Sequence, residues 1–323
     1  MKRVYSATLF LLGACVGDNK THPDHAAYDA GVTPPLACVP NLDGQIDSSE
    51  VKAVLGVAVK YLVSPAGKTR TVDVVGSVDS SGHRVWNMGV DLADDQKLTI
   101  AASALGGQWF ASSFPTGQFV APMDAAQTLD GVYVQDDTAL YLLGIASHQP
   151  SPPEGMTLVV YTTPIAFLRF PLKPGTTWVS KSTVMNATVR GLPYVGNDTY
   201  EITDDATGEL VLPDLSFTQA HRVRTKLTQA PPAGATLVTE QVSFFFECFG
   251  EVARAKSADN EMNADFTTAA EVRRFGLRRR TRCSVGIRGR RVSTPGKTRR
   301  RSTSSTGCEA RSCSGRRRRC SRC

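Results

Sequence analysis

Between about residues 51 and 272, short apolar runs alternate with polar positions at a period of two, and Gly, Pro, Asp or Ser separates one run from the next. The runs are TRTVDVVGSV (70–79), HRVWNMGV (83–90), QKLTIAASA (96–104), GVYVQDD (131–137), TALYLLGIA (138–146), MTLVVYTT (156–163) and IAFLRFPL (165–172). They are rich in β-branched and aromatic residues, which fit a pleated, half-buried surface. Longer runs follow at 176–189, 198–205, 216–229 and 236–250. In 216–229, Val223, Thr225 and Leu227 alternate with Arg222, Arg224 and Lys226, predicting one apolar and one basic face. In 236–250, Val242, Phe244, Phe246 and Cys248 share one face while Phe245 and Phe249 take the other, predicting a strand covered on both sides. Helical periodicity is sparse and best at about 48–56. Many strands with hairpin-length links and no βαβ spacing predict a mainly β fold: a single curved antiparallel sheet or half-barrel, with a short helix near its start.

The pattern is absent at both ends. MKRVYSATLFLLGACVGDN opens the chain with Lys2 and Arg3, then an apolar stretch from Val4 to Ala14 that is too short to span a bilayer. Leu12-Gly13-Ala14-Cys15 resembles the bacterial lipobox, in which small residues precede a cysteine that takes lipid. Residues 1–14 are therefore expected to be a lipoprotein signal peptide, with Cys15 the lipidation site and membrane anchor. Residues 15–38 read as a flexible tether rich in Pro, Asp, Ala and Gly. The expected location is the cell envelope, at the outer membrane or facing the periplasm.

Charge divides the chain sharply. Residues 273–323 hold 18 Arg, one Lys and one Glu, which leaves 18 basic and 29 acidic residues in 1–272, out of totals of 37 and 30. The body is thus net acidic, and nucleic-acid binding by the folded domain is not expected. The 273–323 segment has few apolar residues and four consecutive arginines at 316–319, so it is expected to be a disordered Arg/Ser/Cys-rich tail. Three readings of it stand. One is a basic segment for an anionic surface. The second is a zinc cluster on Cys308, Cys313, Cys320 and Cys323, whose spacings lack the paired knuckles of known sites. The third and leading one is an out-of-frame translation product, because Arg, Thr, Ser and Cys codons arise when GC-rich coding DNA is read in a shifted frame.

In the body only Cys38 and Cys248 remain. In an oxidising compartment they form a candidate disulfide; the alternative is two buried thiols. Just after Cys38, VPNLDGQIDSSE (39–50) has the outline of an EF-hand or dockerin calcium loop. Asn41, Asp43, Asp47 and Glu50 occupy oxygen-ligand positions, Gly44 the sharp turn and Ile46 the inward apolar position. The first ligand position is Val39, so the loop is degenerate and calcium a weak expectation. The alternative is an Asp-Gly turn leading into a capped helix start. No nucleophile elbow, zinc-protease or dinucleotide motif occurs. His83, His148 and His221 are far apart and read as surface or capping residues. The acidic pairs Asp94-Asp95, Asp136-Asp137 and Asp204-Asp205 read as solvated turn carboxylates.

Three stretches in order, FLRFPLKPGTTW (167–178), YEITDDATGELVLPDLSFTQAHRVRT (200–225) and FFFECFGEVARAKS (244–257), carry a family likeness. Together they resemble uncharacterised lipoprotein families of myxobacteria-like, high-GC bacteria and, more distantly, LolA- and LolB-type periplasmic half-barrels. The resemblance covers roughly residues 40–275 and implies a curved antiparallel sheet, wrapped around apolar side chains or an apolar ligand; the strand pattern places the β domain itself at 51–272. Trp178, Phe217, Phe244 and Phe246 are then candidate core or cavity-lining residues. The expected function is a non-enzymatic, membrane-anchored envelope lipoprotein that binds an apolar ligand. The alternative is an adhesion or scaffold module with weak ion binding at its surface.

Overall fold

The computed structural model describes residues 38–276. The expected signal peptide and lipidation site Cys15, most of the expected tether, and nearly all of the Arg-rich segment lie outside the described residues. Seventeen strands follow one another. The first seven are β1 (Val59–Val63), β2 (Arg70–Thr71), β3 (Ser77–Val78), β4 (Arg84–Asn87), β5 (Gln96–Ile100), β6 (Ser103–Ala104) and β7 (Phe119–Pro122). Six longer ones are β8 (Leu129–Gln135), β9 (Ala139–Ser147), β10 (Leu158–Arg169), β11 (Thr176–Val189), β12 (Leu192–Val211) and β13 (Ser216–Ala230). The last are β14 (Leu237–Phe246), β15 (Gly250–Lys256), β16 (Thr268–Ala269) and β17 (Glu271–Phe275).

Fifteen of them form one sheet in the order β5-β1-β17-β15-β14-β13-β12-β11-β10-β9-β8-β7-β6, with β4 pairing the far end of β12 and β3 pairing β4. Every pairing is antiparallel except Val85–Asn87 of β4 against Glu209–Val211 of β12. The expected mainly β class and single curved sheet are what the chain adopts. The sheet does not close into a barrel, but its two edges meet in sequence: β5 ends at Ile100, β6 begins at Ser103, and two residues link them. A link that short holds both edges within roughly 11 Å of each other. The curl is equally evident from packing. Phe119 on β7 and Phe245 on β14, seven strands apart, belong to one buried cluster with Leu142, Ile165, Trp178 and Ile202.

Two further clusters form where loop segments and the short strand β4 fold over the long strands. Leu105, Phe110 and Phe114 cover Val120, Val132 and Leu143 of β7 to β9. Val74, Trp86 and Phe266 cover Phe217, Val242, Phe244 and Val272 of β13 to β17. The double-sided strand read at 236–250 is accounted for by this arrangement, with Phe244 in one cluster and Phe245 in the other.

Four corrections to the sequence reading concern the fold. The runs at 156–163 and 165–172 are one strand, β10, whose register shifts between Val160 and Ile165 absorb Pro164. The helix expected over 48–56 is a single 3-10 turn, Ser48–Glu50. The Glu50 carbonyl, which would accept the Val54 N–H in an α-helix, is taken by the Cys248 N–H at 2.8 Å, and Gly56 sits at a φ of +76°. The Asp204-Asp205 pair is not at a turn, because β12 runs through it to Val211. Finally, the domain does not end at 272. Arg273, Arg274 and Phe275 complete β17, which pairs with β15 and β1. Both arginines are buried and ion-paired, so they belong to the folded domain rather than to the basic tail.

Candidate functional site

The segment from Cys38 to Val57 is a strap drawn across the turns at one end of the sheet. Ile46 bridges Leu172 after β10 and is fully buried. Gln135 at the end of β8 donates its amide to the Ser48 carbonyl at 2.7 Å. Cys38 is joined to Cys248, in the turn after β14, by a disulfide with a Cα–Cα separation of 5.5 Å. Glu247 in that same turn accepts the backbone N–H groups of Asn41 and Leu42 at 2.6 and 2.8 Å. Sequence reasoning missed Glu247, since nothing in its local pattern sets it apart from other strand-end carboxylates.

These contacts decide what the calcium-type loop does. The Asn41 side chain accepts the Asp43 N–H, and Asp43 accepts the Gln45 N–H, so each closes a short local turn. Glu50 turns back to accept the Asp47 N–H at 2.8 Å, capping the 3-10 turn. Its carboxyl is pushed up, mainly by burial, with Glu247, Asp47 and Asp43 adding to the rise against the pull of the Asp47 N–H. Among the described residues, no group of three or more His, Cys, Asp or Glu side chains converges on a common point. Asn41, Asp43, Asp47 and Glu50 therefore act as the capped-turn alternative, and the carboxylate that clasps the loop is supplied from across the fold.

One wall of a cleft of about 270 Å³ is formed by the strap, through Ser48, Ser49 and Lys52. The facing wall is the β7–β8 edge and the turn after β8, with Phe119, Asp136 and Asp137. The framework is fixed. Gln118 and Gln135 exchange bonds, the Gln118 amide oxygen accepting the Gln135 N–H at 3.1 Å and its amide nitrogen donating to the Gln135 carbonyl at 3.3 Å. Asp136 accepts bonds from the Thr138 hydroxyl and from two backbone N–H groups, which hold its carboxyl below the usual range and keep it charged.

Elsewhere, ionisable groups are buried inside the sheet. His221 on β13 pairs with Asp204 on β12 at 2.8 Å, and both are essentially inaccessible. The reading of His221 as a surface residue is thus overturned. A register shift between Asp204 and Ala206 lets Asp204 reach His221 while Asp205 meets Arg222 and Arg224. Among the described residues no Ser, Thr or Cys side chain hydrogen-bonds His221, so the pair lacks an adjacent nucleophile. Arg222, read as part of a basic face, is covered: Trp86 lies 5.3 Å from its guanidinium, and the Val74 carbonyl accepts from it at 2.7 Å. Glu251 holds Arg254 and Arg273 at 2.7 and 2.9 Å, and despite burial these guanidinium groups keep its carboxyl low.

Of the candidate aromatic residues, all four are buried, but they do not line one space. Trp178 belongs to the inner cluster, with its indole N–H on the Ala166 carbonyl at 2.8 Å. Phe217, Phe244 and Phe246 belong to the cluster beneath Trp86. They are core residues of two separate packings. No family model, curated protein or solved structure matches the chain.

Proposed function

We propose that the chain is an exported lipoprotein, anchored through Cys15, whose β domain is a non-enzymatic envelope module acting through its surface. The observation that carries this reading is the Cys38–Cys248 disulfide. Such bonds persist in exported proteins and are rare where thiol reductants dominate. Here the bond fastens the first described residue of the domain, at the foot of the expected tether, to a strand turn 210 residues away. Surface action is favoured over carriage of an apolar ligand because the aromatic residues that would line a carrier cavity are divided between two packed clusters.

The test is expression in a bacterial host with radiolabelled palmitate. Label in the protein, lost in Cys15→Ser, together with a reductant-dependent gel shift lost in Cys248→Ser, is the expected outcome. An unlabelled protein that fractionates identically with and without Cys15, or free thiols at Cys38 and Cys248, would sink the reading.

A further inference from the structure

The cleft between strap and sheet has the chemistry of a ligand site. At about 270 Å³ it sits at the lower end of small-molecule sites, which run from roughly 300 to 1,000 Å³, and has room for one small ring. Around it are hydrogen-bonding groups of both kinds. Ser48 and Ser49 offer hydroxyls, Lys52 an ammonium donor, and Asp137 an acceptor carboxylate. Among the described residues, none of these four side chains is engaged in a hydrogen bond or ion pair. Ala53 and exposed Leu55 supply an apolar patch at the same recess, and Phe119, a core residue stacked on Tyr133 at 5.4 Å, closes its floor. Lys52 shares the recess with Asp136 and Asp137, so the recess has no positive excess to attract a phosphate or another anion.

Free donors and acceptors interleaved around an apolar patch, on rigid elements, suit a ligand with several hydroxyls on a ring. Each hydroxyl can both give and accept hydrogen bonds, and the ring C–H face rests on the Ala53 and Leu55 patch. We propose that this cleft binds one ring of a neutral saccharide. This deepens the surface-binding reading and takes only the envelope setting from it. The wall carrying Ser48, Ser49 and Lys52 is the strap, so the Cys38–Cys248 disulfide and the Ile46 bridge position half of the site.

The experiment is calorimetric titration of the full chain carrying Cys15→Ser with glucose, galactose, mannose and N-acetylglucosamine. Saturable binding of at least one sugar is expected, with a Kd on the order of 1 mM. Lys52→Ala and Asp137→Ala, both at exposed positions, should each weaken it by about fivefold or more while leaving thermal unfolding unchanged. Cys38→Ser with Cys248→Ser should weaken it as well, by freeing one wall. Absence of saturable binding to all four sugars overturns the proposal. So does sugar binding that both alanine variants leave intact, which would place the site elsewhere. Binding of glycine or alanine in place of sugars also overturns it, because Lys52 and the two aspartates would then be a zwitterion site. Failure of palmitate labelling leaves these outcomes untouched, so the two readings fail separately.

Discussion

Asp198 shows what a single buried carboxylate contributes. It is 2% exposed, the Tyr161 hydroxyl donates to it at 2.9 Å and Gln229 at 3.4 Å, while its other oxygen has no partner. Burial pushes its carboxyl above the ordinary value of 3.8, outweighing the two hydrogen bonds. A folded-state pKa above the unfolded one means that the folded protein takes up the proton first. The stabilisation is complete below the unfolded value and is lost as pH rises through the raised folded one. Asp198→Asn removes the titration, so its unfolding free energy should fall less steeply than that of the parent as pH rises above the ordinary carboxylate value of 3.8. Asp198→Ala, which leaves the Tyr161 hydroxyl only its bond with the Tyr200 hydroxyl, should cost about 1 kcal/mol. Urea titrations at several pH values check both, and an unchanged slope in the Asn variant would contradict the assignment. None of this is legible locally, since Asp198 opens a stretch that reads as an ordinary alternating strand. The same limit applies to Arg222 and His221. A period of two tells which residues share a face, and their alternation is real, but it cannot tell what covers that face. Here Trp86 and Asp205 cover one side, and the curled interior takes the other.

At the scale of elements, the strap is the unit to test. Its anchors come from three places in the chain: Gln135, Leu172 and the turn carrying Glu247 and Cys248. The two cysteines were legible because they are the only ones in the body, and Gly44 and Ile46 marked a turn with one inward apolar residue. The acceptor from Glu247, 205 residues or more away in sequence, was not, because a loop that borrows its closing carboxylate leaves no spacing to read. Opening the disulfide by Cys38→Ser with Cys248→Ser frees a closed loop of 210 residues, and should cost about 2–5 kcal/mol. Denaturation of the oxidised parent, the reduced parent and the double variant measures this. The reduced parent should match the variant. Equal stability of all three would mean that the strap is held by Ile46, Glu247 and Gln135 alone.

For the whole molecule, the question is where folding ends. Composition placed the boundary at 272, because Arg273 and Arg274 open a segment dominated by arginine. Charge density is a property of a window, whereas strand membership is a property of single residues, and the window averaged two structural arginines into a basic run. In the fold, Arg273 meets Glu251 at 2.9 Å, Arg274 donates to the Met88 and Val90 carbonyls at 2.6 Å and pairs with Asp95, and Phe275 packs edge-on to Tyr61 and Phe217. Among the described residues, β17 is also the strand through which β1 and β5 pair with the rest of the sheet. A stop codon after Gly276 should therefore leave the melting temperature of the full chain unchanged. A stop after Val272 takes Arg273 from Glu251 and Arg274 from Asp95, leaving these carboxylates only Arg254 and Arg70 as guanidinium partners, removes Phe275 from its ring contacts, and detaches β1 and β5. With the β1–β17 pairing, the Phe275 packing and two buried ion pairs lost together, this shorter chain should melt far lower or fail to accumulate. Paired melting curves decide between the two boundaries. Equal stability of both truncations would restore the boundary at 272, and a loss already at Gly276 would place part of the fold beyond the described residues.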